Sequence, residues 1–124
     1  MARVLIADDE TAMRELVARA LALDGHVTVT AADGAEALDL LAGAADPFDL
    51  LLTDIKMPVM DGIALALMAA RDFPRLVILL MTGFADQRER AHNLKALIHD
   101  VVTKPFSVAD IRAAAAAALA ARKP

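Results

Sequence analysis

The chain has no cysteine, no tryptophan and no tyrosine, and its four phenylalanines leave it 3% aromatic. Without cysteine there are no disulfides and no thiolate metal ligands, which fits a reducing compartment. With so few rings, the core has to be built from Leu, Val, Ile, Met and abundant Ala, a composition suited to helices packed closely on a sheet. Positive charge is not in excess: 13 basic residues face 17 acidic ones, for a formal net charge of -4. A chain with no basic stripe has little to neutralise a phosphate backbone, so direct nucleic-acid binding is excluded as a function. No apolar stretch approaches membrane-spanning length, and the run that follows Met1-Ala2-Arg3 is too short for a signal peptide. The expectation is a cytoplasmic protein with no membrane partner. No linker or low-complexity tail interrupts the 124 residues, so one domain over 1–124 is expected.

Short β-rich runs alternate with segments of helical period. RVLIA (Arg3 to Ala7) reads as a strand, and Met13, Leu16, Val17, Ala20 and Leu21 then fall on one helix face. VTVTA (Val27 to Ala31) reads as the second strand; Asp33-Gly34 breaks it, and Glu36, three residues after Asp33, marks a capping box opening a helix through Leu41. After the Asp46-Pro47 turn, DLLLT is the third strand, and Asp61-Gly62 opens a helix that Phe73-Pro74 ends. Leu76 to Met81 is the most apolar strand, placed inside the sheet, and the helix from about Gln87 to Leu97 is the most polar. DVVT (Asp100 to Thr103) is the last strand; Ser107 and Asp110 then open a helix containing six consecutive alanines, Ala113 to Ala118. Five such β-α repeats predict an α/β fold: a parallel sheet with helices on both faces.

Ligands of open parallel α/β sheets bind at the carboxyl ends of the strands. There the first strand presents Asp8, Asp9 and Glu10, the third Asp54, the fourth Thr82 and Gly83, and the fifth Lys104. Any one of these alone is adequately explained as a turn former or helix cap. Asp8, Asp9 and Asp54 with Thr82 and Lys104 on one edge are not. Gathered carboxylates repel unless a cation is present, and oxygen ligands of this kind suit Mg2+, which keeps waters and takes phosphate oxygens. Lys104 offers a positive charge and Thr82 a hydroxyl, both useful to a phosphoryl group. Asp54, alone on the middle strand, is the natural nucleophile for an aspartyl phosphate.

Through VLIADDE, DLLLTDIKMPVMDG, LLMTGFAD and VVTKPF, in that order, the chain resembles the receiver domains of two-component response regulators, similar to the single-domain chemotaxis type. The resemblance covers essentially the whole chain, which is then either a complete receiver or the N-terminal part of a longer regulator. It implies a flavodoxin-like, doubly wound sheet in the order 2-1-3-4-5. It also implies that Asp54 is the phosphoacceptor and that Asp8, Asp9, Asp54 and the backbone carbonyl of Lys56 hold Mg2+ (or Mn2+). Lys104 would pair with the phosphoryl group, Thr82 would move to hydrogen-bond it, and backbone N–H groups near Lys56 and Gly83 would complete the cradle. The Lys104-Pro105 peptide would be cis. The implied partners are a sensor histidine kinase or histidine phosphotransfer domain and a downstream protein target, with the chain a monomer or a weak phosphorylation-dependent dimer. It would be no enzyme beyond catalysing its own phosphorylation and dephosphorylation.

Two positions of the signalling face stand out. Where many such domains carry Tyr or Phe, three positions before Lys104, this chain has Val101, which is stiff about χ1 and cannot swing as a ring does. The expected route is instead through Thr82, the loop after it and the polar helix. Phe84, two positions after Thr82, is expected to shield the phosphoryl group from water and slow its hydrolysis. Leu97 and Ile98 stand where Gly and Ala are usual, making a bulkier entry to the last strand. His26, His92 and His99 are scattered without ligand spacing, and Met57 and Met60 are read as loop packing. The alternative function is a receiver-shaped interaction module that works without phosphorylation, which the intact acidic set argues against. A haloacid dehalogenase-type phosphohydrolase needs a second Asp two residues after the nucleophile, where this chain has Lys56.

Overall fold

The computed structural model describes residues 2–83 and 85–122. Strands β1 (Arg3–Ala7), β2 (Val27–Ala31), β3 (Leu50–Asp54), β4 (Val77–Thr82) and β5 (Asp100–Thr103) alternate with helices α1 (Thr11–Ala22), α2 (Gly34–Gly43), α3 (Gly62–Asp72), α4 (Ala85–His92) and α5 (Val108–Ala120). All strand pairs are parallel, in the order β2-β1-β3-β4-β5.

Alternate residues of each strand point to opposite faces, and both faces are apolar because both are covered. Leu5, Leu51, Ile78 and Leu80 meet α2, α3 and α4 through Leu41, Leu65, Ala66 and Ala91. Val4, Ile6, Leu50, Leu52, Leu79 and Met81 meet α1 and α5 through Val17, Leu21, Ile111, Ala115 and Ala118. Each fully buried Leu or Ile contributes roughly 1.5–3 kcal/mol of transfer free energy, which makes the two apolar layers the main support of the fold. The alanine run serves this packing on one side only: Ala115 and Ala118 are buried, while Ala113, Ala116 and Ala117 face solvent.

The helix starts are chemically marked. The Asp33 carboxylate accepts from the Glu36 N–H at 2.8 Å, and the Asp61 carboxylate accepts from the Ala64 N–H at 2.8 Å. Ser107 and Asp110, expected to open the last helix, form a reciprocal capping box. Several boundaries differ from the sequence expectation. The third strand runs one residue further, so that Asp54 itself is in the sheet, and β4 starts and ends one residue later, taking in Thr82. The polar helix is shorter: α4 ends at His92 and residues 93–97 form turns. There the chain folds back, with the Leu97 and Ile98 N–H groups donating to the Leu94 carbonyl at 2.8 and 3.1 Å.

Candidate functional site

Strand register brings the polar residues together. Ala7 pairs with Thr53, Asp54 with Met81, and Thr82 with Thr103, so Asp8, Asp54, Thr82 and Lys104 end neighbouring strands at one edge. Asp9 and Glu10 follow Asp8 into the loop before α1. Asp9, Glu10, Asp54, Lys56, Gly83 and Lys104 line an open cavity of about 410 Å³.

Asp8 is completely buried, yet its charge is compensated. One carboxylate oxygen accepts from the Glu10 N–H at 2.9 Å and the other from the Lys104 ammonium at 3.0 Å. The Arg14 guanidinium donates to the Asp8 backbone carbonyl at 2.7 Å, fixing the turn from β1 into α1. Asp54, 7% exposed, accepts from the Ile55 N–H at 2.9 Å and lies 3.4 Å from the same ammonium. Lys104 thus bridges two carboxylates, and its own N–H donates to the Thr82 carbonyl at 2.8 Å, tying β5 to the end of β4. The Thr82 side chain is buried beside them.

Burial pushes the Asp54 carboxyl up to about 6, with the Lys104 charge opposing and the Asp8 charge adding to the rise. For Lys104, burial acts downward but is outweighed by the hydrogen bond to Asp8 and the charges of Asp54 and Asp8, so the ammonium is held above the usual lysine range. One carboxylate oxygen each from Asp8, Asp9 and Asp54 lie within 4.8 Å of one another, the grouping among the described residues that could hold a metal ion. Three hard anionic donors, one of them exposed, fit a divalent cation bound mostly through carboxylate and water.

A scan against protein-family models matches residues 4–116 to the response regulator receiver domain. The chain belongs to that family. It is the receiver domain of a two-component response regulator, and its sheet has the strand order of the flavodoxin-like fold. Among curated relatives it is 35% identical over 122 residues to the response regulator MprA of Mycobacterium avium (strain 104), covering 98% of this chain and 53% of that protein. It is 39% identical over 111 residues to the response regulator receiver protein CpdR of Brucella abortus (strain 2308), covering 90% of this chain and 91% of that protein. The chain therefore spans about half the length of MprA but nearly all of CpdR. Among solved structures it is similar to the chemotaxis response regulator CheY4 of Vibrio cholerae, with a TM-score of 0.85 at 28% identity, over 95% of this chain and 98% of that one. Among the described residues no helix is long and apolar enough to cross a membrane.

Of the residues singled out from the sequence, Asp8, Asp54, Thr82 and Lys104 end neighbouring strands at one edge of the sheet, and Asp9, Lys56 and Gly83 line the same cavity as Asp54 and Lys104. Gly83 lines the pocket, but a Cβ there would make only ordinary contact, 3.7 Å from the Lys104 Cβ, so any need for a small residue comes from what enters. Phe84 lies outside the described residues. Val101 is half-buried against the α2–α4 side of the core and lines a second cavity of about 380 Å³ with Ala91, Ile98, His92 and His99. The two histidines, scattered in sequence, thus share one wall between α4 and β5. Two glycines read only as turn residues prove to permit close backbone approach at the ends of the loop between β3 and α3. A Cβ on Gly62 would overlap the Asp54 carbonyl oxygen, and one on Gly34 would overlap that of Met60. The Asp-Gly pairs were the available signal, but the approach they permit is to residues elsewhere in the chain. The Lys104-Pro105 peptide is cis.

Proposed function

We propose that this receiver domain takes a phosphoryl group from a phosphohistidine onto Asp54, in a Mg2+-dependent (or Mn2+-dependent) reaction, and thereby changes the face it presents to a downstream protein. The observation that carries this reading is the Lys104 ammonium placed 3.0 Å from Asp8 and 3.4 Å from Asp54 at the mouth of a carboxylate-lined cavity. Asp54 is the nucleophile. Its oxygen forms the new bond to phosphorus as the phosphorus–nitrogen bond to the donor histidine breaks, and the electron pair leaves with the imidazole. Lys104 balances charge on the transferring group, and Thr82, one residue beyond the partner of Asp54 in the sheet, supplies a hydroxyl once it turns inward. Lys56 and Gly83 line the same cavity, and their backbone N–H groups would complete the cradle. Mg2+, held by Asp8, Asp9, Asp54 and the Lys56 carbonyl, would neutralise the phosphoryl oxygens when bound.

The donor is a sensor histidine kinase or a histidine phosphotransfer domain, the setting cytoplasmic, and the only chemistry catalysed is gain and loss of the chain's own phosphoryl group. Residues 1–124 act as one unit, a monomer or a weak dimer formed on phosphorylation. Intact mass after incubation with acetyl phosphate and Mg2+ tests the reading. A phosphate-sized gain in the wild type and none in Asp54→Asn supports it. No gain in either favours the second reading, a phosphorylation-independent interaction module, for which the half-buried Val101 in place of a ring is the specific support.

A further inference from the structure

The loop between β3 and α3 contains the one non-glycine residue with a positive φ among those described: Val59, at 69°. The Met60 N–H donates to the Pro58 carbonyl at 2.7 Å, closing a three-residue turn around it. That hydrogen bond with that φ defines the rare and strained form of the γ-turn. A β-branched side chain is among the worst suited to such a backbone, whereas glycine or asparagine would accept it with less strain. Burial of the side chain does not offset this cost. Val59 is 84% exposed, the most exposed large apolar side chain among the described residues.

The surrounding structure clamps the turn from both sides. The Gly34 N–H donates to the Met60 carbonyl at 3.0 Å, and the Gly62 N–H donates to the Ile55 carbonyl at 2.8 Å. Neither glycine could carry a Cβ without overlapping the loop or strand end it holds. Strained conformations persist where their neighbours over-determine them, and they mark functional sites more often than idle surface. This one stands three residues after Lys56, which lines the acidic cavity, and Lys56, Pro58 and Val59 are exposed together.

We propose that Val59 is a docking residue: an apolar contact, held outward in advance on the loop that follows Asp54 and carries Lys56, that seats the protein carrying the phosphohistidine. The proposal rests on the reading of Asp54 as phosphoacceptor. A side chain fixed in its binding conformation loses little entropy when a partner covers it, so a rigid, exposed Val is an efficient anchor. A small phosphodonor needs the pocket alone and makes no demand on Val59, which is not among the residues lining it. Val59 therefore sets the rate of phosphorylation by a protein donor and leaves that by a small molecule unchanged.

The test uses Val59→Asn, Val59→Gly and the conservative Val59→Ile. Two donors are compared: acetyl phosphate with Mg2+, and the radiolabelled phosphorylated catalytic core of whichever sensor histidine kinase, from a purified panel, labels the wild type fastest. The Asn and Gly variants should melt at or above the wild-type temperature and take phosphate from acetyl phosphate at the wild-type rate. Transfer from the kinase should slow by about fivefold or more, as for loss of one well-packed apolar contact, and Val59→Ile should retain it. Wild-type transfer from the kinase in the Asn and Gly variants overturns the proposal. So does equal loss with both donors, or failure of every kinase to label a wild type that acetyl phosphate labels. If acetyl phosphate leaves the wild type unlabelled, the phosphoacceptor reading fails and the docking role falls with it.

Discussion

The Lys104 ammonium donates to the fully buried Asp8 carboxylate at 3.0 Å, across 96 positions of sequence, and is itself mostly buried. Removing one member of such a pair leaves an uncompensated charge in a poor solvent. Lys104→Met is therefore expected to destabilise the metal-free protein by about 2–3 kcal/mol, the lower side of the range for buried pairs because the ammonium keeps some contact with water. Mg2+ should restore much of the loss by giving the carboxylates a counter-ion. Urea unfolding near neutral pH, in chelator and in Mg2+, checks both parts. A deficit that Mg2+ leaves unchanged would argue against a cation site at Asp8, Asp9 and Asp54.

Asp54 titrates near 6 in the folded chain, pushed up by burial, against an ordinary aspartate value of 3.8. The native state therefore holds this proton more tightly than the unfolded state does. The sign follows: the stability from the protonated carboxyl is fully present below about pH 4 and is lost as pH rises to about 6. Asparagine has the same shape and does not titrate. In chelator, Asp54→Asn should melt higher than wild type at neutral pH, and the difference should shrink between pH 6 and 4. Paired thermal melts across that window decide it; a difference independent of pH would mean that Asp54 titrates as an ordinary aspartate.

Gly62 opens α3 directly against the end of β3, and an added methyl would overlap the Asp54 carbonyl oxygen. The clash is with backbone, which cannot swing aside, so Gly62→Ala should cost on the order of 3 kcal/mol or leave the chain unfolded. Gly43→Ala, with nothing within 4 Å of the added methyl, is the control and should be neutral or slightly stabilising. Circular dichroism melts of the two variants provide the comparison.

How far the sequence foretells this site depends on the range of the physics involved. The strands at Val27–Ala31 and Asp100–Thr103 are legible as they stand, since a short run of β-branched residues marks a strand even at the sheet edge, where these two are mostly half-buried or exposed. The caps at Asp33, Asp61 and Ser107 are equally local, each side chain serving an N–H three residues ahead. Asp8, Asp54, Thr82 and Lys104 are recognisable as strand-end residues, but their adjacency depends on strand order, which came from the family resemblance. The end of α4 was misplaced because residues 93–97 remain compatible with a helix, and only the return of the chain to β5 stops it. The γ-turn at Val59 leaves no mark in the sequence at all: valine is a residue that local propensity would keep out of it.

The route from Asp54 to the surface is the part of the mechanism most particular to this chain. Val101 cannot make the ring flip that a Tyr or Phe would, because its branched Cβ has one strongly preferred rotamer. The structure contains another physical link. Asp61, the cap of α3, accepts from the Ala64 N–H with one carboxylate oxygen and from the Arg90 guanidinium of α4 at 3.2 Å with the other. Gly62, next to it, is in backbone contact with Asp54 and Ile55. A change at Asp54 is therefore expected to reach α4 through one loop and one ion pair, in a helix with Ala91 its one buried side chain among those described. On adding beryllofluoride and Mg2+, amide resonances of residues 89–97 are expected to shift along with those around Asp54. In Arg90→Ala the shifts at 89–97 should shrink while those at Asp54 remain, at little cost to stability, since an exposed ion pair is worth about 0.2–1 kcal/mol. Shifts confined to the Asp54 pocket in the wild type would exclude this route and leave the chain without a path to α4.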